Sequence, residues 1–237
     1  MQAKQVPDNF NVDNIVPYFQ PIMDLANGAV WRYECLARLV TLDENTYLPS
    51  EFLFLVERQQ AVALLTETIF NRSARYFKDI NMAWNINISL ADMKDLSIHR
   101  FLASQLRDYP NPERIALEIT AHNALSDKQS FETFSKVCGD LGIGIFIDHF
   151  GKQTKRMDEI LDLGISAIKV SGALIDHISK NQQSLDIVTD LYERAKDKKV
   201  ALIAEHIEDV ATLEVVKKIG IKYAQGFYFS RPKAKAE

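Results

Sequence analysis

The chain has 237 residues, of which 47% are hydrophobic and 25% charged, and its formal net charge is -4. This composition is typical of one folded α/β domain and excludes disordered, collagen-like and disulfide-rich proteins. Lys and Arg number 28 against 32 for Asp and Glu, so the bulk charge offers no attraction for a nucleic acid polymer.

The first residues are polar where a signal peptide needs an apolar core, and no run of 18 apolar residues follows. The two cysteines, Cys35 and Cys138, lie far apart without a Cys-x-x-Cys motif, which makes a disulfide or thiolate metal site unexpected. We therefore expect a cytoplasmic domain without membrane contact, or the cytoplasmic module of a longer, membrane-anchored protein.

Short apolar runs alternate with segments of helical periodicity along the chain. The runs that predict strands are Val16–Gln20, Val30–Val40, Ala83–Ser89, Ile115–Thr120, Gly144–Asp148, Ala167–Val170, Val200–Glu205 and Tyr223–Phe229. The patterns that predict helices are Ser50–Gln59, Val62–Phe77, Ile98–Tyr109, Lys128–Leu141, Met157–Leu163, Leu185–Lys198 and Val210–Ile219. Such alternation is typical of parallel strands covered by helices.

The first two strands differ from the rest, because Asp24, Asn27 and Gly28 between them predict a short hairpin and hence an antiparallel start. We expect an α/β barrel over residues 15–237, preceded by an N-terminal extension over residues 1–14.

A polar residue lies within or at the end of most of the predicted strands. These residues are Glu34, Asn87, Glu118, Asp148, Lys169, Glu205 and Gln225. In an α/β barrel the carboxyl ends of the strands meet at one mouth, which is where the chemistry takes place. Three or more carboxylates beside an amide suit Mg²⁺, Mn²⁺ or Ca²⁺, and metal-assisted phosphodiester hydrolysis follows as the candidate reaction. The alternative is that each residue is a solvent-exposed cap at the end of its strand.

At these residues the sequence resembles the EAL domain family of bacterial cyclic di-GMP phosphodiesterases, from about Val16 to Pro232. The motifs that carry the resemblance are Tyr18-Phe19-Gln20-Pro21-Ile22, Glu34-Cys35-Leu36-Ala37-Arg38, Asn87-Ile88-Ser89, Leu117-Glu118-Ile119-Thr120, Asp148-His149-Phe150-Gly151, Lys169-Val170-Ser171, Ala204-Glu205-His206-Ile207-Glu208 and Gln225-Gly226-Phe227-Tyr228-Phe229. The resemblance implies a modified TIM (β/α)8 barrel with an antiparallel strand at its start.

The resemblance also implies the roles of individual residues. Those implied to bind metal are Glu34, Asn87, Glu118, Asp148 and, at the second position of its motif, His149. Those implied to complete the catalytic ring with Glu34 are Lys169, Glu205 and Gln225, while Gln20 and Arg38 contact the dinucleotide. Mg²⁺ or Mn²⁺ is the implied cofactor, Ca²⁺ an inhibitory ligand, and linear pGpG the product. A homodimer, and a sensor or GGDEF-type domain ahead of this one in a longer parent protein, are further implied.

Four departures from the family pattern lie close to the expected site. His149 replaces a second Asp, Ser171 replaces the Asp of Lys-Ile-Asp, and Ala121 replaces a loop-anchoring Glu. The loop Gly151–Arg156 lacks the usual small residues. An imidazole ligates metal but favours softer ions than Mg²⁺, so a weakened second Mg²⁺ site is expected.

Two hypotheses remain open at this stage. In the first, the domain binds cyclic di-GMP and hydrolyses it with weak or altered activity. In the second, it is a catalytically inactive EAL domain that acts as a cyclic di-GMP sensor or a protein-interaction module, because fold does not fix function.

Overall fold

The computed structural model describes residues 6, 11–151 and 154–236. Within them, nine strands form one sheet, which the pairing of the first strand with the second closes into a barrel. The strands are β1 (Ile15–Asp24), β2 (Val30–Val40), β3 (Thr46–Tyr47), β4 (Ala83–Asn87), β5 (Ile115–Thr120), β6 (Gly144–Phe150), β7 (Ala167–Val170), β8 (Ala201–Ala204) and β9 (Tyr223–Ala224). Because β3 pairs only with the end of β2, the other eight strands make up the barrel wall.

The antiparallel start of the barrel is confirmed. β1 runs antiparallel to both of its neighbours, β2 and β9, whereas the remaining wall strands pair in parallel. In the connecting turn the Asp24 and Asn27 side chains accept hydrogen bonds from backbone amides two residues further on, and Gly28 has φ +70°. These are the turn residues that the sequence indicated.

Helices cover the outside of the barrel. They are α1 (Pro49–Arg58), α2 (Val62–Phe77), α3 (Leu90–Lys94), α4 (Leu96–Leu106), α5 (Ala121–Ser126), α6 (Lys128–Asp140), α7 (Met157–Leu161), α8 (Gly172–Ile175), α9 (Gln182–Asp197) and α10 (Val210–Ile219). On α9 the expected apolar stripe is buried at Val188, Leu191 and Ala195. All the helices predicted from periodicity are present, with boundaries shifted by a few residues.

Two apolar clusters lie on the two sides of the barrel wall. The larger cluster packs the outward side chains of the strands against the helices. The smaller cluster consists of Ile22, Ala116, Phe146, Ala167 and Ile203 and fills the barrel interior. Since side chains alternate across a strand, the residues two positions further along β5, β6, β7 and β8 also point inward, toward the carboxyl end. The apolar cluster is thus the floor on which the polar strand-end residues lie.

Two predicted strands end two or more residues earlier in the structure. The last strand stops at Ala224, because Gly226 packs against the backbone of Ile207, where an added Cβ would lie 2.1 Å from the Ile207 carbonyl oxygen. Gln225 therefore lies in a turn after β9. The third predicted strand stops at Asn87, because Ser89 caps α3 and its Oγ accepts a hydrogen bond from the Asp92 amide at 3.1 Å.

The short helices α3, α5 and α8 and the strand β3 are absent from the sequence prediction. A helix of four to six residues shows too little periodicity to be recognised, and only the capping pattern remains as a signal. Ser89 with Asp92, and Thr120 with Asn123, supply that pattern for α3 and α5.

Part of the expected N-terminal extension packs onto the barrel. A 3₁₀ turn spans Val12–Asn14, and Val12 is 6% exposed within the outer cluster. The Arg72 side chain of α2 donates a hydrogen bond to the Asp13 carbonyl at 2.8 Å. Residues 1–5 and 7–10 of the extension lie outside the described residues, and the domain boundary at residue 15 stays a prediction.

Removing the Phe146 ring from the barrel interior should destabilise the fold. Phe146 is 2% exposed, and its ring stacks on Trp31 at 6.0 Å. We expect Phe146→Ala to lower the free energy of unfolding by about 3–5 kcal/mol, since a buried aromatic leaves a cavity. Phe54→Ala, at a side chain that is 57% exposed, is the matched control and should change it by less than about 0.5 kcal/mol. Urea unfolding followed by circular dichroism measures both, and equal losses would show that Phe146 is not an interior support.

Candidate active site

The Lys169 side chain is the centre of a ring of carboxylates at the barrel mouth. Its Nζ lies 2.8 Å from Glu34 Oε2, 3.0 Å from Glu118 Oε2, 3.2 Å from Glu205 Oε1 and 3.6 Å from Asp148 Oδ1. Lys169 is 1% exposed, so the ammonium is fully removed from bulk water. The strand-end carboxylates are therefore gathered around one cation and are not separate solvent-exposed caps. We call Glu34, Glu118, Asp148, Glu205 and Lys169 the carboxylate ring.

Neutral amides complete the hydrogen bonding of Glu34. Asn87 Nδ2 donates to Glu34 Oε1 at 3.0 Å, and Gln225 Nε2 donates to Glu34 Oε2 at 2.8 Å. With Lys169, these bonds hold both oxygens of Glu34 in place. Gln225 reaches the ring although it lies after β9, because its turn is anchored where Ile207 N–H donates to the Gln225 carbonyl at 3.1 Å.

The ring carboxyls differ in pKa, because burial and the lysine act in opposite directions. Burial alone would raise the pKa of Glu34, but the charge of Lys169 and its hydrogen bonds hold it below its ordinary value. At Glu118 burial, reinforced by the charge of Glu34, raises the pKa well above the ordinary range. Burial also raises the pKa of Glu205. Burial therefore favours the protonated form at Glu118 and Glu205, whereas Lys169 favours the ionised form at Glu34.

Lys169 and Asp148 are both held in the charged form. Burial tends to lower the pKa of Lys169, but the surrounding carboxylates, Glu118 foremost, raise it well above its ordinary value. For Asp148, burial is outweighed by Lys169 and by the His149 hydrogen bond, and its pKa falls to about 2. The ring therefore contains a fixed ammonium and at least one fixed carboxylate.

His149 lies at the rim of the ring. Its Nδ1 donates to Asp148 Oδ2 at 2.6 Å, and this hydrogen bond raises the pKa of the imidazole to about 9. The backbone of His149 has φ 57°, in the left-handed region, and its side chain is 67% exposed.

Asp148, His149 and Glu205 form a group that fits a divalent cation. Their ligand atoms lie within 4.8 Å of one another. Asp148 Oδ1 is buried and has no hydrogen-bond partner among the described residues, which leaves a lone pair for a cation. One imidazole with two carboxylates is a donor set that suits Mn²⁺ or Zn²⁺ better than Mg²⁺.

A cavity of about 230 Å³ opens above the ring. Its lining residues in the described part of the chain are Gln20, Glu34, Leu36, His149, Glu205, His206, Glu208, Gln225, Gly226 and Phe227. Gln20 thus faces the cavity, and its contact with the dinucleotide stays a prediction. Arg38 is not in this lining: its Nη1 donates to the Ala37 carbonyl at 2.7 Å, and its guanidinium lies 5.9 Å from the Tyr18 ring centre. Its contact with a ligand stays a prediction.

Ser171, Ala121 and the described residues of the loop after β6 are not among the lining residues of the cavity. Ser171 caps α8 and packs against Gly151, and Ala121 is buried in the first turn of α5. Arg156 pairs with Glu159 at 2.9 Å. Lys152 and Gln153 of the rebuilt loop lie outside the described residues.

Several residues near the ring were missed by sequence reasoning. Asn85, two positions before Asn87 on β4, donates from Nδ2 to Glu118 Oε1. Arg32, two positions before Glu34 on β2, is buried beneath the ring. His206 and Phe227 line the cavity. The period of two along a strand was the available signal for Asn85 and Arg32.

A model of the EAL domain matches residues 3–232. The chain belongs to the EAL domain family. Among relatives of this EAL domain is the probable cyclic di-GMP phosphodiesterase PdeB of Escherichia coli K12, 25% identical over 224 residues, which cover 92% of this chain and 42% of PdeB. The chain thus spans less than half the length of that relative.

Solved structures share the fold of this EAL domain. The Xanthomonas citri FimX EAL domain in complex with c-diGMP superposes with a TM-score of 0.86 at 17% identity, covering 95% of this chain and 91% of the other. The Vibrio cholerae LapD S helix-GGDEF-EAL structure gives a TM-score of 0.82 at 17% identity, covering 92% and 53%. None of the described helices of this EAL domain is long and apolar enough to cross a membrane.

The His149 imidazole should titrate near pH 9 in chelator-treated protein. An unfolded imidazole titrates near 6.5, so the raised pKa of His149 stabilises the fold below about pH 6.5, and this stabilisation is lost as the pH rises through about 9. NMR titration of the imidazole protons, assigned with His149→Asn, measures it. Asp148→Asn should return the pKa toward its ordinary value; a titration unaffected by that change would contradict the assigned hydrogen bond.

Proposed function

We propose that this EAL domain binds cyclic di-GMP in the cavity above the carboxylate ring and hydrolyses it slowly to linear pGpG. The observation that carries the proposal is the convergence of Glu34, Glu118, Asp148, Glu205 and Lys169 within 3.6 Å contacts at the floor of that cavity. The relative named as a probable cyclic di-GMP phosphodiesterase supports the choice of substrate. The FimX EAL domain, solved in complex with the same dinucleotide, supports cyclic di-GMP as the ligand.

Two groups of residues would hold the divalent cations. The first consists of Glu34, Asn87, Glu118 and Asp148, with oxygen donors suited to Mg²⁺ or Mn²⁺. The second consists of Asp148, His149 and Glu205. When bound, such cations neutralise the phosphate oxygens and lower the pKa of a water molecule. Because Glu118 and Glu205 have raised pKa values, cation binding should release protons.

The protein's own groups position the phosphodiester and handle the protons. In hydrolysis a water oxygen forms a bond to phosphorus, the bond from phosphorus to the ribose O3′ breaks, and O3′ gains a proton. Glu205 lines the cavity, and in its ionised form its carboxylate can accept the proton of the water. Lys169 supplies a fixed positive charge at the floor. Gln20 and Gln225 offer amides to the dinucleotide, and Arg38 suits a phosphate if its side chain turns from Tyr18.

Incubation of the purified chain with cyclic di-GMP and Mg²⁺ or Mn²⁺ should produce pGpG, detectable by chromatography. Glu34→Gln and Glu118→Gln should lower the rate at least about 100-fold, since each removes a cation ligand. Glu57→Gln, at an exposed position of α1, is the matched control and should leave the rate unchanged. Calorimetry with Ca²⁺, which we propose as an inhibitory substitute, measures binding without turnover.

A second candidate function is a cyclic di-GMP sensor without turnover. The ion pair of His149 with Asp148 favours it, because the imidazole occupies an oxygen that a second cation needs. Binding in calorimetry with no pGpG would establish the sensor and contradict the enzyme. Neither binding nor turnover would contradict both and leave a protein-interaction module.

Restoring a carboxylate at position 149 separates the two candidates further. We expect His149→Asp to raise Mg²⁺ affinity by roughly tenfold and to speed Mg²⁺-dependent turnover, because ligand charge sets the affinity for hard cations. The wild type should work better with Mn²⁺ than with Mg²⁺. His122→Asp, at an exposed residue of α5, controls for added charge. Unchanged Mg²⁺ affinity in His149→Asp would place the defect in the loop Gly151–Arg156.

The wider setting is also a proposal. We propose that residues 15–237 act as the EAL domain of a cytoplasmic signalling protein, as a homodimer and behind a sensor or GGDEF-type domain. The length of PdeB, of which this chain covers 42%, and the GGDEF-EAL arrangement of LapD support it.

A further inference from the structure

A second buried cation lies one layer beneath the carboxylate ring. Arg32 is 4% exposed, and its guanidinium lies 4.8 Å from the ring centre of Trp31 and 4.5 Å from that of Phe146. Its Nη2 donates to the Arg114 carbonyl at 2.9 Å. The guanidinium thus lies at the level of Phe146. Asp148 is two residues further along β6, which places the carboxylates roughly 7 Å above.

Packing alone does not account for a charge in this position. Burying a guanidinium is costly unless it is paired and fully hydrogen-bonded, and Arg32 Nε is buried without a hydrogen-bond partner among the described residues. Burial lowers the pKa of Arg32 to about 10, and the charge of Glu118 opposes this shift. Asn85 lies 0% exposed on the adjacent strand and donates to the same Glu118 carboxylate. Asn85 thus contacts the ring member Glu118 directly, while Arg32 lies beneath the ring and its Nη2 hydrogen bond goes to the Arg114 carbonyl.

We propose that Arg32 is an internal counter-ion of the carboxylate ring, which stabilises the cation-free ring and lowers its affinity for divalent ions. The inference rests on the divalent-cation site of the proposed function. Four ring carboxyls face one ammonium within 3.6 Å, so the Lys169 charge does not balance the ring once more than one carboxyl is ionised. A fixed positive charge beneath them offsets one of these charges without occupying a position in the ring.

The sign of the effect on cation binding follows from the charges. Arg32 and a divalent cation at the ring are both positively charged, so Arg32 repels the bound cation. Removing the Arg32 charge therefore favours cation binding. Removing it also destabilises the cation-free protein, because the carboxylates lose their counter-ion.

The test compares charge removal with charge retention at one position. Arg32→Met removes the charge, Arg32→Lys keeps it, and Arg100→Met removes an exposed arginine of α4 as a matched control for net charge. Calorimetric titration of chelator-treated protein with Mn²⁺ should show an affinity about tenfold higher in Arg32→Met, given a screened interaction over this distance. Arg32→Lys and Arg100→Met should bind Mn²⁺ as the wild type does.

Thermal unfolding with and without Mn²⁺ separates an electrostatic role from a packing role. Arg32→Met should lower the Tm most strongly in the cation-free state and should show a larger Mn²⁺-induced rise in Tm than the wild type. Equal losses of Tm in both states, with unchanged Mn²⁺ affinity, would overturn the inference and make Arg32 a packing residue. If Arg32→Met does not fold, Arg32→Gln provides the neutral side chain.

The metal site and the role of Arg32 can be tested separately. A wild-type protein that binds no Mn²⁺ would overturn both the metal site of the proposed function and this inference. Mn²⁺ binding by the wild type with the same affinity in Arg32→Met would overturn the inference alone.

Discussion

The rest of the structure depends on one buried ammonium surrounded by four carboxylates. Lys169 is fully buried and contacts Glu34, Glu118, Asp148 and Glu205. Bringing these groups out of water costs more than their attraction returns unless each oxygen is hydrogen-bonded. Asn85 and Asn87 supply such bonds from β4, and Gln225 supplies one from the turn after β9. The barrel offsets this cost, because it brings residues that are distant in sequence into hydrogen-bonding positions around Lys169.

The carboxylate ring also affects the stability of the fold. An ionised ring carboxyl that Lys169 does not offset opposes the convergence of the strand ends, while burial of the apolar floor of Ile22, Ala116, Phe146, Ala167 and Ile203 favours it. The core thus holds the ring in an arrangement that repulsion between its carboxylates opposes. The proposed cations would relieve that repulsion.

Much of this could be predicted from the sequence, and the failures have physical reasons. The period of the apolar residues predicted the barrel wall and every long helix, and the polar strand ends predicted the members of the ring. That Lys169 is the shared contact could not be predicted, because it depends on a long side chain reaching across the interior. Gln225 was predicted to lie in a strand because the residues after it are apolar. In the structure Gly226 packs against the Ile207 backbone, and the strand ends before Gln225. Arg32 and Asn85 were missed although each lies two residues before a predicted site residue.

Because β1 runs antiparallel to its neighbours, a segment that precedes β1 would join the barrel beside the cavity. Ile15 pairs with Leu39, near the carboxyl end of β2, and β1 then runs away from the cavity toward Asp24. In an all-parallel barrel the chain would enter the first strand at the opposite end, far from the chemistry. In this EAL domain β1 begins at the cavity end of the barrel, and Gln20 lies within it, paired with Glu34. A pull or rotation applied upstream of Ile15 would therefore act first on the strand that carries Gln20 and borders Glu34.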